Sequence, residues 1–130
     1  MRIRSDDGFI EITRGTFESP ADVDVRAESC NFSASVTNIF PLDTSRFFAA
    51  ASTMHVTRRG RLVLSGTEDF ALVLEDRDAR GGFWAEVQMT LRSQGRQTHL
   101  FRCRLAVDAE YWSTVLQDLR TELAKPPASN

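Results

Sequence analysis

The chain has 130 residues, of which 42% are hydrophobic, and this suits one globular domain that buries a core without disulfides or bound metal. Eighteen acidic residues against 16 basic ones give a net charge of -2, which excludes the global basic field that non-specific nucleic-acid binding needs. No apolar run reaches the roughly 18 to 20 residues of a membrane span, and the charged N-terminus lacks the apolar stretch of a secretory signal. We therefore expect a cytoplasmic protein that binds neither membranes nor nucleic acid directly.

The first third of the chain is predicted to be extended. Residues 2 to 14 form a hairpin that turns at Asp7-Gly8, a dipeptide that favours a type I′ turn. After a loop, residues 23 to 36 form one long strand whose apolar parity slips, which predicts a β-bulge near residues 28 to 30. Two cysteines lie in strand-like segments without CxxC spacing and are predicted to be buried, reduced thiols: Cys30 and Cys103.

The rest of the chain is predicted to hold two helices that flank four strands. Phe47, Ala50, Ala51 and Met54 recur at helical spacing after N-cap candidates at residues 43 to 45. Four segments of period 2 follow, separated by glycine-containing turns. A second helix opens at Asp108, and its apolar stripe comprises Trp112, Val115, Leu116, Leu119 and Leu123.

These elements predict an α+β domain over residues 1–125, followed by a short C-terminal tail at residues 126–130. The order is β-β-β-α-β-β-β-β-α, with an antiparallel sheet of six to seven strands and two helices packed on one face of it. The alternation places Leu72, Val87 and Leu116 in the core.

An acidic segment between two of the strands raises the question of a metal site. Glu75, Asp76 and Asp78 lie close together, but Arg77 and Arg80 would place cations beside any bound ion. Asp, Arg and Gly are also the usual residues of an exposed hairpin connection. We predict a turn here, with no metal site and no cofactor.

Catalytic motifs are not evident in the sequence. His99 shares the predicted inward face with Cys103, but residues four apart along a strand are about 13 Å apart and cannot share a proton. His55 lies late in the first helix, where a histidine favours the helix dipole. No catalytic residue is assigned, and a small enzyme with scattered Asp or Glu residues is kept only as a third alternative.

The outward face of the predicted meander is a first candidate partner surface. If Gln94-Gly95-Arg96 forms the turn, Glu86 lies opposite Arg104 as an exposed ion pair of small energy. The same register places Gln88 opposite Arg102 and gathers an apolar spot of Val73, Trp84 and Ala106. The N-terminal strands or a loop would cover this face, or it would bind a partner, because Trp and Arg are the usual interface anchors. The candidate binding residues are Trp84, Arg92, Arg102 and Arg104.

The acidic N-terminal third is a second candidate surface. Seven acids lie between Asp6 and Glu28 against two arginines, and such a run is either a solvated face or a docking site for a basic partner. Charge mimicry of a nuclease substrate needs spaced carboxylates on one side of an extended segment, which slightly favours this surface. The candidate binding residues are Glu18, Asp22, Asp24 and Glu28.

The order of segments resembles the WapI-type immunity proteins of bacterial polymorphic and contact-dependent toxin systems. An extended VDVRAESCNFSASV follows the N-terminal hairpin, and then come the helix LDTSRFFAAASTM and the meander GRLVLSGTEDFALVLEDRDARGGFWAEVQMTL. The closing HLFRCRLAVDAEYWSTVLQDL runs from a strand into an aromatic-bearing helix. The resemblance implies a non-enzymatic protein that neutralises a cognate toxin by direct binding. The alternative is a structural or regulatory module, such as a phage-derived one, that binds another protein.

Overall fold

The computed structural model describes residues 1–92 and 97–129, and within them the chain forms eight strands and two α-helices. None of these helices is long and apolar enough to cross a membrane. The strands are β1 Arg2–Ser5, β2 Gly8–Arg14, β3 Val23–Ser29, β4 Phe32–Ile39, β5 Arg61–Ser65, β6 Ala71–Asp76, β7 Phe83–Arg92 and β8 Thr98–Val107. The helices are α1 Thr44–Thr57 and α2 Trp112–Ala124, the second preceded by a 3₁₀ turn at Ala109–Tyr111.

The strands form two antiparallel sheets, ordered β1-β2-β3-β4 and β5-β6-β7-β8. Every paired strand is a neighbour in sequence, since short connections favour hairpins. The predicted α+β class with antiparallel strands and two helices is confirmed, and its six to seven strands compare with eight, arranged in two sheets.

The extra strand comes from residues 23 to 36, which form the β3–β4 hairpin instead of one bulged strand. Ser29 pairs with Phe32, so Cys30 and Asn31 make the turn, and Cys30 has a φ of 56°. The irregularity in register lies at the other end of β3, between Val23 and Val25. Because cysteine rarely adopts positive φ, nothing in its residue type indicated a turn.

The first hairpin also turns differently from the prediction. Ser5 pairs with Gly8, so Asp6 and Asp7 are the central turn residues, and both keep negative φ. The type I′ turn at Asp7-Gly8 was therefore wrong, although the hairpin itself is confirmed.

One hydrophobic core joins both sheets and both helices. Leu72 and Val87 are fully buried in it, and Trp112 packs edge-to-face on Phe83 with ring centroids 5.1 Å apart. Helix α1 contacts β5 whereas α2 contacts β2, and the two helices touch each other. Both helices therefore contribute to the same core as the two sheets.

Helix α1 buries Phe47, Ala51 and Met54 as its apolar spacing predicts, while Ala50 stays exposed. Arg58 caps the helix in a left-handed conformation (φ 55°), and its backbone N–H donates to Met54 O at 2.7 Å. In α2, Trp112, Val115 and Leu119 are buried and Leu116 is half-buried.

Candidate functional site

The outward side of the second sheet carries the first predicted surface, and we call it the open face. As predicted, Trp84 lies opposite Ala106, Glu86 opposite Arg104 and Gln88 opposite Arg102. The turn residues assumed in that prediction, 94 to 96, lie outside the described residues.

On the other side of β7 the predicted alignment was wrong. Glu75 lies opposite Trp84, and Val73 lies opposite Glu86. Val73 is buried while Ala106 is exposed, so the predicted apolar spot is not continuous. Parity identified the correct face of β6 but not the position of each residue along it, because the turn length between β6 and β7 sets that position.

Trp84 forms the aromatic centre of the open face. Its ring is half-buried, and the guanidinium carbon of Arg104 lies 4.2 Å from the ring centroid, within cation–π range. Arg77 approaches the same ring at 5.7 Å. Arg104 also lies 4.0 Å from Glu75, so a carboxylate and an aromatic ring both orient its guanidinium.

Glu86 lies beside this centre and is buried, with only 5% of its surface exposed. Its Oε1 accepts a hydrogen bond from Arg102 Nε at 2.8 Å, and its Oε2 accepts one from Gln88 Nε2 at 2.7 Å. Burial alone would raise the pKa of Glu86, but the hydrogen bonds from Gln88 and Arg102 and the charges of Arg102 and Arg104 outweigh it, so the pKa is lowered.

The predicted exposed pair of Glu86 and Arg104 is therefore corrected. Glu86 bonds to the diagonal neighbour Arg102, whose long side chain reaches over it from the adjacent strand and excludes water. Arg102 keeps 63% of its own side chain exposed. The Arg102 end of this ion pair is therefore exposed to solvent, while the Glu86 carboxylate is buried.

The rim of the open face carries both apolar and charged groups. Leu100 on β8 is 70% exposed and Val63 on β5 is 43% exposed. Arg92, 3.3 Å from Glu68, and Arg61, 3.4 Å from Glu75, have exposed side chains. A shallow cavity of about 220 Å³ lies over the centre, lined by Arg61, Val73, Glu75, Trp84, Glu86, Arg102 and Arg104.

The acidic surface is changed most at Asp22, which is completely buried. Its Oδ1 accepts hydrogen bonds from Arg14 Nη1 at 3.1 Å and from the backbone N–H of Phe17 at 2.9 Å. Asp22 therefore holds the loop after β2 together and cannot contact a partner, contrary to the prediction. Arg14 is also buried, and the buried Asp22 carboxylate compensates the charge of the Arg14 guanidinium.

The other members of the acidic surface are scattered. Glu18 is exposed, while Asp24 and Glu28 are half-buried on β3, and Asp24 accepts a hydrogen bond from the Asn38 N–H at 3.1 Å. Arg26 lies between Asp24 and Glu28 on the same outward side of β3, so the positive charge interrupts the run. The structure brings no continuous acidic face together here.

Arg14 is the residue that sequence reasoning missed. Besides Asp22, its guanidinium donates to the carbonyls of Gly15, Phe17 and Lys125. Its backbone N–H donates to Glu122 Oε2 at 3.1 Å, and Glu122 is itself buried. The signal was present in the sequence, since Arg14 continues the inward parity of Ile10 and Ile12.

Of the three acids predicted to form a turn, Asp78 lies in it, whereas Glu75 and Asp76 are the last two residues of β6. Asp78 Oδ1 accepts from the N–H groups of Gly82 at 3.0 Å and Arg80 at 2.9 Å, and the bond from Gly82 is the largest cause that lowers the pKa of Asp78. Asp76 accepts from the Gly60 N–H at 3.0 Å. Across residues 1–92 and 97–129, no group of three or more His, Cys, Asp or Glu side chains could hold a metal ion.

Cys103 is buried as predicted, whereas His99 and Cys30 lie differently from their predictions. His99 is exposed and not inward, because the first residues of β8 extend past the core. Cys103 is buried, with its Sγ 3.9 Å from Glu28 O, and burial raises the pKa of its thiol. Cys30, predicted to be buried, is exposed at the β3–β4 turn.

Comparisons with known proteins give no significant match, whether to a family model, to a curated protein or to a solved structure.

Proposed function

We propose that this protein is a non-enzymatic binding protein of the immunity type, which neutralises a cognate bacterial toxin by docking its open face on it. The observation that carries the proposal is the centre of that face. Arg104 lies over the ring of Trp84. Beside it, the exposed Arg102 donates a hydrogen bond to the buried Glu86.

Such a centre is suited to tight binding. Trp and Arg supply most of the energy at protein interfaces when neighbouring groups exclude water around them. Glu86 and Trp84 already orient the two guanidiniums, so less side-chain entropy is lost on binding. The exposed Leu100 and Val63 add apolar area at the rim. A partner that presents carboxylates around an apolar contact would complement this surface.

The choice of the open face over the acidic surface follows from Asp22. Charge mimicry required Asp22, Asp24 and Glu28 in one exposed row, and Asp22 is fully buried against Arg14. The immunity role itself is supported by the resemblance in segment order, which implies a toxin as the partner.

The test is co-expression with the product of each gene that adjoins this one in its genome, since an adjoining toxin gene would favour the immunity role. We expect this protein to protect an indicator bacterium from one such product and to bind it in pull-down with purified components. The variant pair Leu100→Ser and Arg104→Ala removes two exposed groups of the open face, and we expect it to cost about 2 kcal/mol or more of binding.

The matched control removes the same residue classes from the first sheet, as Phe32→Ser with Arg26→Ala, where Phe32 is 75% exposed. It should bind as the wild type does. Equal binding by both variant pairs would exclude the open face as the docking site. Binding without protection would indicate an interaction module with another role.

A further inference from the structure

Strand β5 has one edge that is only partly used. Its neighbour within the sheet is β6, and the other edge faces α1. Residues 40 to 42 already pair with the far end of this edge, since Leu42 N donates to Ser65 O at 2.8 Å and Thr67 N donates to Phe40 O at 3.2 Å. The chain then turns away into α1, and the start of β5 is left without a neighbour on that side.

The backbone groups that remain open can be identified from the alternation of the ladder. Gly60 O accepts from Asp76 N and Gly66 N donates to Phe70 O, so the even-numbered residues turn their N–H and C=O groups toward β6. Arg61 and Val63 therefore turn theirs outward. Within the described residues, these outward groups have no hydrogen-bond partner.

A groove runs along this edge between β5 and α1. It consists of two adjoining cavities of about 270 and 340 Å³, which share Ala50, Arg61 and Leu62 in their walls. The exposed Ala50 forms the helix side, and Leu42, which is 52% exposed, lies at one end. At about 3.3 Å per residue, the unpaired part of β5, from Arg61 to Leu64, presents roughly 13 Å of edge.

The charges of the groove are mostly positive. Arg46 lies in the wall of one cavity and Arg59 in the wall of the other, and in the described part of the chain neither guanidinium has an ion pair or hydrogen bond. Arg61 is shared with the open face and pairs with Glu75. Asp43 is the acidic residue in the walls.

We propose that the partner inserts an extended, acidic segment into this groove and adds it to β5 as a further strand. This inference rests on the proposed protein-binding function and names the element of the partner that is recognised. The outward N–H and C=O groups of Arg61 and Val63 pair with the segment, as in other cases of strand addition. Because successive side chains of a strand point to opposite faces, its carboxylates lie on the α1 side toward Arg46 and Arg59, and its apolar side chains lie on the open-face side beside Val63.

The groove also adjoins the open face. The side chains of Arg61 and Val63 lie on the open face while their backbone groups line the groove. A partner segment on β5 thus extends the second sheet, and the body of the same partner can cover Trp84.

The test compares Val63→Pro with Val63→Ala. Proline removes the outward N–H and is tolerated on an edge strand whose N–H faces solvent, whereas alanine keeps the N–H. The probe is a fluorescent peptide of about six residues with alternating Glu and Val, and its control carries Lys in place of Glu. We expect the Glu peptide to bind the wild type and Val63→Ala within about threefold of each other, and Val63→Pro at least tenfold more weakly.

Two further measurements keep the test decisive if Val63→Pro does not fold. A peptide N-methylated at alternate backbone positions should lose binding, and Arg46→Glu with Arg59→Glu should weaken the Glu peptide while improving the Lys peptide. Slower hydrogen exchange at the Arg61 and Val63 amides on peptide addition would place the peptide on the strand edge.

The proposal is overturned if the Glu peptide shows no saturable binding up to about 1 mM, or if N-methylation leaves binding unchanged. The Leu100 and Arg104 variants test toxin binding separately. A toxin that binds Val63→Pro as tightly as wild type leaves the protein-binding function intact and refutes strand addition alone.

Discussion

Replacing Asp22 tests whether its carboxylate stabilises the fold or binds a partner. Its side chain is fully buried, and the exposure of the Arg14 side chain is only 5%. Asp22→Ala leaves that guanidinium without its carboxylate and the Phe17 N–H without its acceptor. The fold should therefore be strongly destabilised, whether or not a partner is present.

The magnitude follows from these two losses. Breaking a buried ion pair by removing one partner costs about 3 to 5 kcal/mol, because the remaining charge stays buried. The four carbonyl oxygens that Arg14 also contacts, of Gly15, Phe17, Asp22 and Lys125, compensate part of that charge, so we expect about 3 kcal/mol. Asp22→Asn keeps an oxygen acceptor at the same position and should cost about 1 to 2 kcal/mol.

Urea unfolding followed by tryptophan fluorescence measures the free energy of unfolding of both variants. The control is Asp24→Asn at a half-buried position on β3, and we expect it to cost under about 1 kcal/mol. A cost below about 1 kcal/mol for Asp22→Ala would mean that Asp22 is solvated, and would restore the acidic surface as a docking candidate.

Three further perturbations test the core, the open face and the loop after β2. Leu72→Ala should cost about 2 to 5 kcal/mol in urea unfolding because Leu72 is fully buried, and Leu116→Ala clearly less because Leu116 is half-buried; equal costs would contradict this. The pKa of Glu86 is lowered in the folded state, so the ionised carboxylate stabilises the fold above the unfolded pKa, and this stabilisation is lost as the pH falls through the folded pKa. Glu86→Gln should therefore reduce the drop in melting temperature between about pH 6 and pH 3, and an unchanged acid profile would refute this. Gly15→Ala places a methyl group against the Asp22 carboxylate and should cost about 1 to 3 kcal/mol in thermal unfolding, and a neutral result would show that the loop relaxes freely.

Much of the fold could be predicted from alternation, and the errors have specific causes. The β7–β8 register was correct because apolar parity gave the faces of both strands and the turn length assumed in the prediction gave their alignment. The β3–β4 turn was missed because Cys30 adopts a left-handed conformation that its residue type does not favour. The division into two sheets was not predicted, because parity shows which side of a strand is buried and not which strands share a sheet.

The candidate site was predicted less well than the fold. Trp84 and Arg104 were assigned to the correct face, but the burial of Glu86 depends on how the Arg102 side chain lies over it. Asp22 was grouped with exposed acids because its partner Arg14 lies in another element. The edge groove on β5 depends on where α1 packs, which no local pattern contains.

The contacts of Arg14 have a consequence for how the chain folds. Its backbone N–H bonds to Glu122 and its guanidinium bonds to Lys125 O, across sequence separations of 108 and 111 residues. Contacts of such separation close the longest loops and slow the folding of a domain, since their chain entropy is lost before they stabilise anything. During synthesis, the Arg14 groups that bond to Glu122 and Lys125 therefore have no partner until the last turn of α2 has left the ribosome.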